Sequence, residues 1–177
     1  MNNMTTQTIE TDKQASRTMQ KERVLNCDVP VYLYPSAYAQ RHGEIEEYRV
    51  SRQANIACRD AIDQAIRTYY HDNMLNKKAA QFVVEQYGFD RTMYVLAITV
   101  LDKEWDGRIL QSNKNWAKMQ PIFTDHDEMG NERRRAFVVR SHPGLIDLFL
   151  REVRYEKAVS MEKKTLNPTK QKSEKER

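Results

Sequence analysis

Residues 44–70 contain neither glycine nor proline, so nothing in that stretch invites a turn and it must be spent on one long element. Ala54, Cys58, Ala61, Ala65 and Tyr69 recur along it at three- and four-residue steps. Joined by Ile62 and Ile66, they make the buried stripe of a helix, with Arg59, Asp63 and Arg67 on a polar face. A helix of that length needs apolar partners, and the rest of the chain supplies them. A short helix is expected over 36–41, stopped by Gly43. Asn76 can cap a helix that ends at Gly88, and Asp90 can cap the next, over 90–103. Residues 93–101 of that second helix are apolar nearly all round, as a central buried helix requires. Ser112 can cap a short helix holding Trp116 and Met119. Ser141 can cap the last helix, with Pro143 in its first turn and Leu145, Leu148, Phe149 and Val153 on its apolar face.

Three short stretches read as strands: 29–34 (VPVYLY), placed at an edge by Pro30, and 122–123 with 136–139, a hairpin joined by the polar loop DHDEMGNERR. The expected fold is therefore α+β and predominantly helical, with about five helices and a small antiparallel sheet of two or three short strands. The expected organisation is a polar, flexible N-terminal segment over 1–26, one globular domain over 27–158, and a disordered Lys/Glu-rich tail over 159–177.

Charge follows the same division. The chain of 177 residues carries a formal net charge of +4, yet residues 157–177 hold seven basic against three acidic groups, while residues 26–156 hold 18 against 19. A high isoelectric point here does not imply a basic domain. The tail can add sequence-independent attraction to nucleic acid or stand as a solvated arm. The apolar run at 93–101 is far shorter than a membrane span, and residues 1–13 lack a basic segment followed by an apolar one, which points to the cytoplasm, with Cys27 and Cys58 as thiols.

Four constellations could carry chemistry. Asp125, His126, Asp127 and Glu128 place four potential metal ligands in a row, but neighbours in an extended loop point to different sides, so a solvated loop is the plainer reading and no metal ligand is assigned. Ser141 and His142 precede a helix, where free N–H groups can hold a phosphate and His142 can move a proton; a simple serine cap explains the same residues. Tyr48, Arg52, Asn55 and Arg59 share one strip of the long helix, either as a hydrogen-bond network fixing nearby loops or as a polar binding surface. Trp105, Asp106, Gly107 and Arg108, with Asn113, Lys114 and Trp116, make a second polar and aromatic cluster in which a tryptophan could stack on an unpaired base or anchor the core. For metal-free phosphodiester cleavage, His142 would move the proton while Arg108 and Lys114 stabilise phosphate charge. No cofactor motif is present, and metal dependence stays open.

The segments VPVYLYPSAYAQRHGEIEEYRVSRQANIACRDAI, RTMYVLAITV, WDGRILQSNKNWA and SHPGLIDLF, in this order, resemble the bacterial family called domain of unknown function 3849, over most of residues 29–150. The chain departs from that family in the third segment, where an aromatic is expected near Ile109. The resemblance implies a cytoplasmic protein of conjugative elements and phages and carries no reaction. Its setting suggests an anti-defence protein that inhibits an RNA-guided nuclease such as Cas9, by binding the Cas9–guide RNA complex or by causing truncation of the guide RNA. A body of net charge −1 speaks against global DNA mimicry and for contact with RNA or a ribonucleoprotein. A stand-alone RNA-processing nuclease and a non-enzymatic interaction module of a conjugative element are the alternatives.

Overall fold

A computed structural model of the chain describes residues 29–166. An irregular arm, 29–34, leads into α1 (Ser36–Arg41) and then α2 (Ile45–Tyr69). A minimal hairpin, β1 (Tyr70–His71) and β2 (Met74–Leu75), is followed by α3 (Lys78–Tyr87), α4 (Phe89–Asp102) and α5 (Gln111–Lys118). A 3-10 turn at Arg133–Phe137 and a long α6 (Pro143–Leu166) complete the described chain. The fold class is α+β, predominantly helical, with a two-stranded antiparallel sheet.

The apolar spacing dictates the packing. Ala54, Cys58, Ile62, Ala65 and Ile66 of α2 are buried, and Ala61 and Tyr69 pack against the same core. In α4 every residue from Val95 to Val100 is buried, and this helix touches α2, α3, α5, α6 and the 3-10 turn. It is the central helix its all-round apolarity predicts. Phe149, Leu150 and Val153 close the core from α6, and Ile109, where the family pattern suggests an aromatic, is itself a core residue. Burial pushes the Cys58 thiol up to about 12, so this free cysteine behaves as a small apolar residue. Gly88 joins α3 to α4 at φ +79°, a conformation that costs glycine nothing, and its carbonyl accepts from both the backbone N–H and the hydroxyl of Thr92.

The strands differ from expectation. Residues 29–34 form no strand, and side chains take several of their backbone groups instead. Arg91 donates from Nη2 to the carbonyls of Val29 (2.8 Å) and Pro30 (3.1 Å), and the Tyr32 N–H donates to Ser51 Oγ (2.9 Å). Residues 122–123 and 136–139 do not form a hairpin either. The Val139 N–H goes to Thr99 Oγ1 (3.0 Å) and the Arg140 N–H to Asp63, while the loop between closes on itself through a single bridge, His126 with Glu132. The sheet forms instead at β1–β2, where Asp72 and Asn73 adopt φ of 53° and 60° in a two-residue turn of the mirror-image kind that suits hairpins.

Three helix starts also differ. Asp90 lies in the first turn of α4, after Gly88; Ser112 lies inside α5, whose preceding Leu110 N–H is held by Asp147 Oδ2 (2.8 Å) from α6; and the Ser141 hydroxyl donates to Asp63 and so does not cap α6. Helix α6 runs to Leu166, so residues 159–166, assigned by composition to the disordered tail, are helical and largely exposed. Once nucleated, a helix propagates through Glu, Lys and Met without packing until a breaker stops it. The expectations for residues 1–26, Cys27 and residues 167–177 fall outside the described residues.

Arg91 is 2% exposed and also reaches the Ser51 carbonyl (2.9 Å) and Asn55 Oδ1, so one guanidinium ties the arm to α2 and α4. Replacing it with leucine strands several buried acceptors, and Arg91→Leu should lower the unfolding free energy in a urea titration by about 3 kcal/mol.

Candidate functional site

The strip Tyr48, Arg52, Asn55 and Arg59 is brought together on α2 and faces inward to neighbouring loops. The Tyr48 hydroxyl donates to Asp125 Oδ2 (2.8 Å), Asn55 accepts from Arg91, and Arg59 donates from Nη1 to the Ala136 carbonyl (2.6 Å) while pairing with Asp60. Arg52 lies over the Phe137 ring, 5.9 Å from its centroid. Burial and the bond to Asp125 push Tyr48 up to about 12, which keeps its hydroxyl a donor. These contacts are the loop-fixing network, and Asp125 belongs to it. Asp125 also accepts from the Ser36 N–H and hydroxyl, whereas Asp127 turns away to accept from the Met129 and Asn131 N–H groups. Among the described residues no cluster of three His, Cys, Asp or Glu side chains is placed to hold a metal ion.

Part of the second cluster, Asp106 with Arg108, meets His142 at the start of α6. Asp106, 5% exposed, accepts from the Arg108 N–H (2.9 Å), Nε (2.9 Å) and Nη2 (2.7 Å). Those hydrogen bonds hold the Asp106 carboxyl well below the usual carboxylate range. Arg108 Nη1 then stands 3.0 Å from His142 Nε2, and the Gly144 N–H stands 3.1 Å from His142 Nδ1. A neutral imidazole has one acceptor nitrogen, so the ring accepts from one of these donors at a time. A side chain at Gly144 would place its Cβ 3.3 Å from that Nδ1, so the exposed ring would have to shift by a few tenths of an ångström to admit it.

Asn113 and Trp116 form a neighbouring unit. Asn113 Nδ2 donates to Asp147 Oδ1 (2.7 Å) and its Oδ1 accepts from Arg154 (2.7 Å), whose guanidinium lies over Trp116 at 5.0 Å. Trp116 packs against the core, whereas Trp105 is 81% exposed. Lys114 makes no hydrogen bond with His142 or Arg108 among the described residues, so of the three residues assigned to phosphodiester chemistry it is Arg108 and His142 that meet.

Sequence reasoning missed the residues that organise this region. Asp63, read as part of a polar face, is buried and accepts from the backbone N–H groups of Arg140 (3.1 Å) and Ser141 (2.9 Å) and from the Ser141 hydroxyl (2.6 Å). Its position one helical turn from Arg59 and beside Ile62 and Ile66, at the border of the apolar stripe, is the only sequence signal for this role. Beside it opens a cleft of about 390 Å³ lined by Arg67, Tyr70, Arg140, Ser141 and His142 among others. A second cleft of about 510 Å³ shares Arg140 and adds Arg59, Trp105 and Arg135. Arg67 and Arg140 are exposed, and among the described residues neither guanidinium has a hydrogen bond or ion pair. Asp60 is taken by Arg59, and Asp102 lies 4.0 Å from Arg135. The arrangement can bind anions, with two free guanidinium groups in clefts that meet at Arg140 and a bare indole in one of them.

A carboxylate with a depressed folded-state pKa stabilises the fold above its unfolded pKa and loses that contribution as pH falls through the folded value. Asp106→Asn should therefore be less stable than the wild type at neutral pH, and the gap should close as the medium becomes strongly acidic; urea titrations at a series of pH values read this directly.

No curated protein and no solved structure matches the chain. A family model described as "Protein of unknown function (DUF3849)" matches residues 31–158, which take in both clefts, the Asp106–Arg108–His142 unit and the α2 network. The chain belongs to that family.

Proposed function

We propose that this protein is an RNA-directed anti-defence protein that binds a ribonucleoprotein through the phosphates of its RNA. One observation carries the reading: Arg140 stands unpaired where two clefts meet, with Arg67 in one and exposed Trp105 in the other. Guanidinium groups recognise phosphate oxygens in pairs, and an uncovered indole beside them suits an unpaired base. The near-neutral charge of residues 26–156 fits local phosphate contacts better than imitation of a whole duplex. Cas9 with its guide RNA is the ribonucleoprotein to test first, a choice that rests on the mobile-element setting of the family alone.

A second reading, cleavage of the guide RNA, draws on the contact between Arg108 and His142 at the rim of the smaller cleft. Against it, Arg108 is committed to Asp106, and Lys114 makes no hydrogen bond with either residue among the described residues. Binding is therefore the reading adopted. An interaction module that contacts only protein would leave RNA untouched and unbound.

Labelled guide RNA, free and in complex with Cas9, should be retained by the protein and run at full length on a denaturing gel, with or without EDTA. Shortened RNA that His142→Ala restores to full length would establish cleavage instead. Arg67→Glu with Arg140→Glu should weaken retention and flatten its salt dependence, by about 0.7 in log–log slope for each lost phosphate contact on a single strand. Unchanged retention in that variant would overturn the cleft as the binding site.

A further inference from the structure

A different face of the molecule carries four aromatic rings in a column. Phe123, Tyr34, Tyr38 and His42 stack in that order with ring centroids 5.6, 4.3 and 3.8 Å apart and interplanar angles of 29°, 22° and 19°. Three of them recur at four-residue intervals, Tyr38 and His42 one helical turn apart and Tyr34 just before Pro35. The column is not core: Tyr34 and Phe123 are each 47% exposed and His42 is exposed.

It is nevertheless held rigidly. Tyr32 stands edge-on to both Tyr34 (6.0 Å) and Tyr48 (5.9 Å), and its hydroxyl donates to Glu44 (2.7 Å). Ser36, at the start of α1, donates twice to Asp125, which also holds Tyr48. Glu44 and Asp125 thus accept from the column's own supports, while Glu47 adds a further negative charge near Tyr32. Arg133 and Arg134 line a small cavity with Tyr34 and Phe123 at one end, and Arg41 precedes His42 at the other, with no ion pair for Arg41 among the described residues. Arg134 is shared with Glu132 and Arg133 lies 3.8 Å from Asp125, so the net charge at that end is modest and the ring faces dominate.

We infer that this column is a stacking platform for the unpaired bases of single-stranded RNA. A base continues the stack on the free face of Phe123 or of His42, while the flanking arginines receive its phosphates. The inference deepens the RNA-binding reading above and rests on it for the class of ligand. A platform already rigid before binding loses little rotamer entropy when a base arrives, which is what makes an exposed, locked column suited to this task.

The test compares two strands of equal length and charge by fluorescence anisotropy on the full chain: a fluorescein-labelled oligouridine and the same ribose-phosphate strand lacking bases. The wild type should bind oligouridine about tenfold more tightly than the abasic strand, the gain expected of stacked bases. Tyr34→Leu with Phe123→Leu should abolish that preference and leave abasic binding unchanged, Tyr34→Phe should retain it, and His42→Ala, at the exposed end of a short helix, should reduce it. Circular dichroism and thermal melting confirm that each variant is folded; if the double variant unfolds, His42→Ala and Tyr34→Phe decide. Equal binding of both strands by the wild type, binding of neither, or a preference that survives loss of the rings overturns the platform; binding of neither strand turns the search to a protein ligand. Arg67→Glu with Arg140→Glu separates the two ideas: weaker binding of both strands with the base preference kept supports the cleft, and no change with the preference kept removes the cleft and leaves the platform standing.

Discussion

Backbone outside helix and sheet that packs on a helical core must find partners for its N–H and C=O groups, and in this protein polar side chains of two helices provide them. Arg91 and Thr99 of α4, with Ser51 and Asp63 of α2, accept from or donate to the arm at 29–34 and the segment at 138–141. Each is almost fully buried. A buried polar group left unpaired costs as much as a lost hydrogen bond or more, so the loops and these side chains stabilise one another or neither is tolerated. The arrangement replaces a sheet. It lets two irregular segments lie directly on helices without the neighbouring strand that a ladder would demand.

The same constraint sorts the polar residues into those committed to holding the chain and those left over. Asn55, Arg59, Asp63, Asp106, Asn113 and Asp147 are all spent on loop backbone or on other side chains. Arg67 and Arg140, by contrast, hang into open clefts, and Trp105 is uncovered. Functional surface in such a molecule is found by subtraction, in the groups that no buried acceptor or donor claims. The Phe123–Tyr34–Tyr38–His42 column qualifies on the same ground, since its supports are satisfied and Phe123, Tyr34 and His42 are exposed.

Much of the helical architecture was legible from spacing alone. The stripe of α2, the all-round apolar α4, the glycine stop at Gly88 and Pro143 at the head of α6 all stand where periodicity and capping chemistry put them. The strands were not, because β-branched and aromatic residues report a preference for extended backbone and say nothing about what pairs with it. VPVYLY forms no strand, and the partners of its backbone are an arginine and a serine distant in sequence. The true hairpin was hidden because its turn, Asp72–Asn73, lacks the glycine that usually advertises one. Within the candidate site, Asp106, Arg108 and His142 meet, whereas Ser141 is tied to α2 by Asp63, a residue whose sequence position marks only a polar face.

What the sequence determined by itself is therefore the set of helices and which side of each is apolar, since both follow from local spacing, breakers and caps. What only the tertiary structure decided is the destination of every buried polar side chain. A lone arginine in an apolar helix or an aspartate at the edge of a stripe has no periodic signature, and its role is set by which distant backbone groups the packing brings within hydrogen-bond reach. That packing also decides which arginines and which aromatic rings remain free to meet another molecule.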